Sequence, residues 1–301
     1  MNSDQITKIE SILYSKQFPI NLEREQVFAT YMPQGKASDV YKVELPKNRI
    51  TYAVKLLDPN QWQLREIDLY LDYLPQNTLN TPELIYANKS EGILILNWIE
   101  PINTHLDFKE ISNWLTKKYT YFKETLKDET IDFDNNLKWM ILDPISKIRE
   151  ENKYLSADQL NTLINNIEDI KTKLSEVYAL SLPIVVEHAD LEAKNIINSS
   201  SGIYIIDWAN AFKSFGFVDF AQFKKLLRQH NKFDTYKMYE SNFSELVGLN
   251  IEEFSNITSL YAVIREIQLL AYFQERNKES QSESVQTSIL ILAEELKKLA
   301  T

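Results

Sequence analysis

Hydrophobic and polar positions follow two different patterns along the chain, and the change falls near residue 100. Before it, short apolar runs rich in β-branched and aromatic residues alternate with turn residues, as in antiparallel strands. Between the third and fourth runs, Trp62, Ile67 and Leu71 recur at helical spacing, and Pro75 ends the segment. The first part therefore predicts a small antiparallel sheet with one helix. The five strand runs are EQVFATYM, SDVYKVEL, TYAVKLL, ELIYA and ILILNW.

The second part of the chain has mostly helical periodicity. Ser156 and Gln159 form a capping-box pattern at the start of one helix. The exception is PIVVEHADLEAKNIINSSSGIYIIDWANA, residues 183–211, where short apolar fragments predict strands and NSSSG predicts a hairpin-like turn. The predicted helices are HLDFKEISNWLTKKYTYFKETL, LKWMILDPISKIREE, SADQLNTLINNIEDIKTKLSEVYAL, FVDFAQFKKLLRQH, residues 251–277 and VQTSILILAEELKKLA.

These patterns predict an α+β chain with two domains, an N-terminal lobe of residues 1–99 and a helical lobe of residues 100–301. The 301 residues, 44% of them hydrophobic, are enough to bury a substantial core. No apolar run approaches the roughly 18 residues of a membrane span, and the first residues, MNSDQITKIE, are polar and charged. We therefore expect a cytoplasmic protein with no membrane partner.

Charge and cysteine content exclude several classes of function. Lys and Arg number 33 against 43 Asp and Glu, and the net charge of −10 disfavours a nucleic-acid partner and mildly favours cationic ligands. Plain solubility is an equally good explanation of that charge. The absence of cysteine excludes disulfides, thiolate metal sites and cysteine nucleophiles.

The segment around His188 carries a candidate for phosphoryl-transfer chemistry. Asp190 and Asn195 follow it closely, and Asp207 ends the apolar run IYIID. Phosphoryl transfer requires an aspartate that accepts or orients the attacking hydroxyl, oxygen ligands for Mg²⁺ and a cation on the nucleotide phosphates. A short loop and a neighbouring strand end can bring one base and two metal ligands together. Alternatively, Asp190 and Asp207 cap a helix or a turn.

A cation for the phosphates is expected on an upstream strand. Lys55 lies in TYAVKLL, the predicted third strand, and Glu66 lies in the only predicted helix of the first lobe. A strand lysine followed by a helix glutamate is the arrangement of kinase-like folds. The alternatives are an edge lysine that faces water and a solvated helix glutamate.

Three motifs resemble the aminoglycoside phosphotransferase and choline kinase-like family, the small-molecule branch of the protein-kinase-like fold. EHADLEAKNII resembles the family's His-Gly-Asp-x-x-x-x-Asn loop, IIDWANA resembles its Ile-Asp-Trp-Glu strand, and GFVDFAQF resembles its Gly-x-x-x-Asp-Leu-Ala helix start. The match extends from about residue 25 to 230 in the expected order. The resemblance implies a two-lobed fold, with a small antiparallel-sheet lobe for the nucleotide and a mostly helical lobe for the acceptor.

The resemblance also implies a role for each matching residue. Asp190 would be the catalytic base, with Asn195 and Asp207 as Mg²⁺ ligands. Lys55 would bind the α- and β-phosphates, and Glu66 would orient it. The remaining implied residues are His188 and Asp219 as supports of the loop, Gly35 and Ser38 over the phosphates, and Asn97, Trp98 and Ile99 at the nucleotide base.

The expected function is transfer of the γ-phosphoryl group of ATP or GTP to a hydroxyl of a cationic small molecule, with an aminoglycoside or other antibiotic as the leading example. The acidic run KDETIDFD, residues 127–134, would attract an amine, or is simply a solvated loop. A choline, ethanolamine or homoserine kinase and a non-catalytic kinase-like binding protein are the alternatives.

The sequence departs from the family at Ala189, which replaces a glycine, at Ala193-Lys194, which replaces a common Pro-Gly, and at Ala209, where many members are acidic. The sequence is compatible with a monomer and with a homodimer.

Overall fold

A computed structural model describes residues 3–32, 39–58, 64–74, 79–276, 279 and 282–299. The strands are β1 (Phe28–Met32), β2 (Asp39–Leu45), β3 (Ile50–Leu56), β4 (Leu84–Asn88), β5 (Ile93–Asn97), β6 (Val185–Glu187), β7 (Ile196–Ser199), β8 (Gly202–Ile205) and β9 (Phe212–Ser214). The helices are α1 (Ser3–Leu13), α2 (Leu64–Asp72), α3 (Phe108–Thr125), α4 (Phe133–Leu137), α5 (Asp143–Glu151), α6 (Ala157–Asn165), α7 (Ile167–Ala179), α8 (Phe217–Gln229), α9 (Tyr236–Val247), α10 (Ile251–Glu275) and α11 (Glu283–Leu299).

The chain divides into two compact units whose bounds differ from those of the two predicted domains. The first unit comprises Met1–Trp114 and Asp190–Ala211, and the second comprises Leu115–Ala189 and Phe212–Thr301. The segment after Asp190 therefore groups with the sheet rather than with the helices. One reason is a backbone hydrogen bond of 3.2 Å from the Ile205 N–H to the Asn80 carbonyl.

The first unit contains the predicted antiparallel sheet, with strand order β1-β2-β3-β5-β4. All five predicted strands are confirmed, and β7 pairs with β8 across the predicted turn. Alternation along β3 places Val54 and Lys55 on opposite faces of the sheet. Val54 joins a buried cluster with Ile9 and Leu13 of α1. This helix was not predicted, and it covers one face of the sheet.

The second unit is mostly helical, and its longest helix is α10. The capping box predicted at Ser156 is confirmed, because its hydroxyl accepts the Gln159 N–H while the Gln159 side chain accepts the Ser156 N–H. Helices α5, α8 and α11 pack against α10, which buries residues on all sides. A short sheet of β6 with β9 lies in this unit. No helix in the described part of the chain is long and apolar enough to cross a membrane.

Candidate active site

Lys55 lies at the centre of an ion-pair cluster in the first unit. Its Nζ lies 2.8 and 3.0 Å from the two carboxylate oxygens of Glu66 and 2.8 Å from Oδ1 of Asp207. The side chains of Lys55 and Glu66 are 9% and 1% exposed, whereas that of Asp207 is 40% exposed. The cluster therefore presents one of its carboxylates to solvent.

Local backbone structure positions each member of this cluster. Strand alternation aims Lys55 away from the buried cluster under α1 and toward Glu66, which lies in the first turn of α2. The Trp208 N–H donates a 3.1 Å hydrogen bond to Oε1 of Glu66, so the residue after Asp207 is also held. Asp207 itself has left-handed backbone angles, φ 65° and ψ 67°, which aspartate tolerates better than most residues.

The two carboxylates keep Lys55 charged. Burial lowers the pKa of Lys55, but the negative charges of Glu66 and Asp207 outweigh burial and raise this pKa above its usual value. A permanent cation is thus held beside an exposed carboxylate, and such a pair can bind a polyphosphate together with its counterion.

The loop from Asp190 to Asn195 is held by its own hydrogen bonds. The side-chain amide nitrogen of Asn195 donates to the carbonyl oxygen of Asp190 at 2.8 Å and to its Oδ2 at 2.9 Å. The Ile206 N–H donates to the Asn195 carbonyl at 3.0 Å, which ties the loop to the residue before Asp207. These bonds bring Asp190, Asn195 and Asp207 into one neighbourhood of the first unit.

The oxygen atoms of this neighbourhood fit Mg²⁺. Both hydrogen bonds of the Asn195 side chain use its amide nitrogen, so its amide oxygen is the group that can bind a metal. The exposed carboxylate of Asp207 is the second hard oxygen donor. Among the residues that the structure describes, no group of three or more acidic or histidine side chains is placed to hold a metal ion. Mg²⁺ typically takes few protein ligands and draws the rest from phosphates and water.

In the second unit, Asp219 holds the residues that precede Asp190 in the chain. Its Oδ2 accepts the His188 N–H and its Oδ1 accepts the Ala189 N–H, each at 2.8 Å, and Lys118 donates to Oδ2. Asp219 and His188 are fully buried. Ala189 has a φ of 60°, a left-handed conformation that glycine would adopt without strain. Ala189 stands where the resembling family has a glycine, and the hydrogen bond from its own N–H to Asp219 holds it in this conformation.

Two members of this second cluster, Lys118 and Glu187, were missed in the sequence. Glu187 is fully buried, and its carboxylate accepts the N–H groups of Gly216, Val218 and Asp219 at 2.7, 3.3 and 3.1 Å. Burial and the nearby charge of Asp219 raise the pKa of Glu187 to about 7, against the lowering effect of Lys118. Glu187 and Asp219 therefore clamp the end of β6 and the start of α8 to each other.

The sequence contained a signal for Lys118 only. It lies four residues after Trp114 and four before Phe122, both buried, and so stands on the apolar stripe of α3. A lysine in such a position must find a buried partner. Glu187 follows two valines and precedes the loop, where nothing in the local pattern distinguishes a buried glutamate from an exposed one.

The segment predicted to contact the nucleotide base has part of its backbone already bonded. The Asn97 N–H donates to the Glu83 carbonyl at 3.0 Å, and the Trp98 N–H donates to the Thr51 carbonyl at 3.2 Å. A base would therefore have to pair with carbonyl groups of this segment or with the backbone of Ile99. The two residues predicted to lie over the phosphates, Gly35 and Ser38, lie outside the described residues.

The acidic run 127–134 has protein partners for two of its four carboxylates. Glu129 pairs with Lys213 at 2.9 Å, and Asp132 caps α4 by accepting the Asn135 N–H at 3.1 Å. These contacts favour the interpretation as a structural and solvated loop, because only part of the run remains to attract a cation.

Comparisons with known proteins identify the fold. Neither a family model nor a curated protein matches this sequence. Among solved structures, a thermostable variant of aminoglycoside phosphotransferase APH(4)-Ia, in a ternary complex with ADP and hygromycin B, is similar with a TM-score of 0.65 and 11% identity over 100% of both chains. An ethanolamine kinase of Plasmodium vivax has a TM-score of 0.61 and 16% identity, covering 98% of this chain and 89% of that one.

A choline kinase of Streptococcus pneumoniae, LicA, is also similar, with a TM-score of 0.61 and 15% identity over 98% of both chains. The predicted fold class is therefore confirmed: the protein is α+β and has the protein-kinase-like fold of small-molecule kinases. At these identities the likeness establishes the fold alone.

Proposed function

We propose that this protein is a phosphotransferase that moves the γ-phosphoryl group of ATP or GTP to a hydroxyl of a small, cationic acceptor. The observation that carries the proposal is the contact of Lys55 with both Glu66 and Asp207, at 2.8 Å each. A buried lysine that reaches an exposed carboxylate is suited to hold nucleotide phosphates beside a metal ligand. The Asp190–Asn195 loop, tied to the same strand end, adds a base.

The chain's own residues supply positioning and electrostatics in this mechanism. Lys55 binds the phosphates and Glu66 keeps its Nζ in place. Asn195 and Asp207 would hold Mg²⁺, which supplies neutralisation of phosphate charge when bound. Asp190 accepts a hydrogen bond from the acceptor hydroxyl, orients its oxygen for in-line attack on the γ-phosphorus and receives its proton.

The cationic character of the acceptor is supported by charge. The chain carries a net charge of −10, which mildly favours a cationic ligand. An antibiotic such as an aminoglycoside is our first candidate for the acceptor. Choline or ethanolamine is the second, because solved kinases of both compounds share the fold over nearly the whole chain.

The test is a mass-spectrometric screen of the purified protein with Mg-ATP or Mg-GTP. The panel contains aminoglycosides, macrolides, choline, ethanolamine, homoserine and sugars, and Asp190→Asn is the matched control because it keeps the size of the side chain. We expect one compound to gain a single phosphoryl group with the native protein only. Equal turnover by Asp190→Asn would contradict the assignment of the base.

The alternative of a non-catalytic kinase-like binding protein makes a different prediction. No compound would be modified, and Mg-nucleotide would not raise the melting temperature. A clear rise in melting temperature that depends on the nucleotide concentration would contradict this alternative.

A further inference from the structure

The loop that contains the proposed base also carries a cation, Lys194, to which nothing above gives a role. Its Nζ lies 3.6 Å from Oδ2 of Asp190 and 2.8 Å from Oε2 of Glu192. The short helical turn of residues 193–195 sets this position, because the Asn195 N–H donates to the Glu192 carbonyl at 2.9 Å. Lys194 thus reaches the carboxylate of the base from within the same loop.

Exposure distinguishes Lys194 from Lys55. The side chain of Lys194 is 62% exposed, whereas that of Lys55 is 9% exposed and bound by two carboxylates. An exposed lysine, with its flexible four-carbon side chain, can exchange one anionic partner for another at little cost in free energy. Asp190, in contrast, is only 11% exposed in its side chain and stays in place.

The electrostatic field at Lys194 includes the proposed metal ligand as well as the base. Burial lowers the pKa of Lys194, but Asp190, Glu192 and Asp207 together raise it. Its ammonium group therefore lies within the influence of both carboxylates between which a transferred phosphoryl group would pass.

A cation is needed at this position if the site transfers phosphoryl groups. Asp190 and Asp207 are both anionic, and a nucleotide triphosphate adds several further negative charges. A carboxylate beside the γ-phosphoryl group repels it unless a positive charge intervenes. The charge of Lys55 is already balanced by two carboxylates. A second cation therefore reduces the repulsion between the phosphoryl group and the carboxylate of Asp190.

We propose that Lys194 is a catalytic residue that exchanges its contact with Glu192 for an equatorial oxygen of the transferring phosphoryl group; this inference rests on the proposed function. In the step, the acceptor oxygen forms a bond to the γ-phosphorus. The bond from the γ-phosphorus to the β–γ bridging oxygen breaks, with its electron pair passing to the leaving nucleoside diphosphate. The acceptor proton passes to Asp190, and the ammonium group of Lys194 stabilises the charge on the phosphoryl oxygens.

The test uses a mimic of the phosphoryl group, so that it does not depend on knowing the acceptor. Melting temperatures are measured with Mg-ADP, with and without fluoroaluminate, for the native protein, Lys194→Met and Lys171→Met. Lys171 is the matched control, because it forms an ordinary surface ion pair with Glu168 at 3.0 Å. We expect Mg-ADP to raise the melting temperature equally in all three proteins. Fluoroaluminate should raise it further, and this further rise should be at least halved in Lys194→Met alone.

A full fluoroaluminate shift in Lys194→Met would overturn this inference and leave the proposed function intact. The inference would also fail if the native protein gained nothing from fluoroaluminate while responding to Mg-ADP. If Mg-ADP itself produced no shift in the native protein, the proposed function would fail first. These three results are distinguishable in one set of samples.

Turnover supplies an independent measurement once an acceptor is found. Lys194→Met should lower kcat about 100-fold with little change in the KM for ATP, because the contact forms only with the transferring group. Lys194→Arg should restore most of the rate, since it returns a cation of similar reach. A rise in the KM for ATP at unchanged kcat would assign Lys194 to ground-state binding and contradict the inference.

Discussion

Lys55 and Lys118 each bind a buried carboxylate, and they differ in what the rest of each cluster does. Lys55 contacts Glu66, which is 1% exposed, and Asp207, whose side chain is 40% exposed. Lys118 contacts Asp219 and the Val186 carbonyl, and its carboxylate partner has no exposed surface. We call the Lys55 cluster the open cluster, because the Asp207 carboxylate is accessible to a ligand, and the Lys118 cluster the closed cluster, because the Asp219 carboxylate is not.

We take the exposure of one partner as the feature that separates an ion pair available to a ligand from a structural one. Buried charges cost free energy, so each must be fully bonded within the protein or be reserved for a ligand. The carboxylates of Asp219 and Glu187 together accept five backbone N–H groups. No such saturation is needed at Asp207, which solvent reaches.

The largest expected effect is in the open cluster. Asp207→Asn should lower turnover by about 10³-fold or more, about 4 kcal/mol in activation free energy, because a proposed metal ligand is lost. Asparagine tolerates the left-handed backbone at this position, so the free energy of unfolding should change by less than about 1 kcal/mol. Steady-state kinetics and urea unfolding test both statements. A variant with native turnover would remove Asp207 from the mechanism.

The closed cluster should show the opposite behaviour. Asp219→Asn should lower the free energy of unfolding by about 4 kcal/mol, because it leaves Lys118 buried without its counter-charge. Adding Lys118→Met should recover part of this loss, since no unpaired charge remains. A double-mutant cycle in urea measures the coupling, which should exceed that of the surface pair Glu168 and Lys171. Simple additivity would contradict the buried-pair account.

Gly216, at the start of α8, tests the close packing around this cluster. Its φ is 96°, and an added Cβ would lie 2.9 and 3.0 Å from two ring carbons of Tyr119. Gly216→Ala should cost about 3 kcal/mol of stability, from the contact and from the backbone strain. Gly248→Ala is the control, because its φ is 84° and no atom lies within 4 Å; it should cost about 1 kcal/mol. Equal losses would show that the Tyr119 contact is unimportant.

The smallest expected effect is a dependence of stability on pH through Glu187. Its pKa is raised from 4.5 to about 7 in the folded protein, so its contribution is fully present below about pH 4.5 and is lost as the pH rises through 7. Between about pH 5 and about pH 7 this amounts to about 2 kcal/mol. The pKa of Asp219 is lowered by Lys118 and His188 despite burial, so its contribution to stability is lost only as the pH falls below its usual pKa.

The measurement is urea unfolding of the native protein and of Glu187→Gln across this range. Glutamine keeps an oxygen for the Gly216 and Val218 N–H groups but does not titrate. The free energy of unfolding should therefore fall less steeply with rising pH in this variant. Glu168→Gln, at an exposed position, should leave the slope unchanged. An unchanged slope in Glu187→Gln would mean that another group titrates.

The sequence predicted the open cluster better than the closed one, for a physical reason. The chemistry proposed for Lys55, Glu66 and Asp207 restricts the residue types and their order along the chain, and strand alternation determines which way Lys55 points. Lys118 and Glu187 depend on burial by distant elements, which local periodicity does not report. The same limit explains why α1 and the grouping of the segment after Asp190 with the sheet were not predicted.

The most direct test of the central claim, that the open cluster binds a metal–nucleotide complex, is calorimetric titration of ATP with and without Mg²⁺. The native protein and Asp207→Asn are compared under the same conditions. We predict that Mg²⁺ strengthens ATP binding by the native protein at least about tenfold, or about 1.4 kcal/mol, and that Asp207→Asn loses this gain. The same gain in both proteins, or no ATP binding by the native protein, would contradict the account.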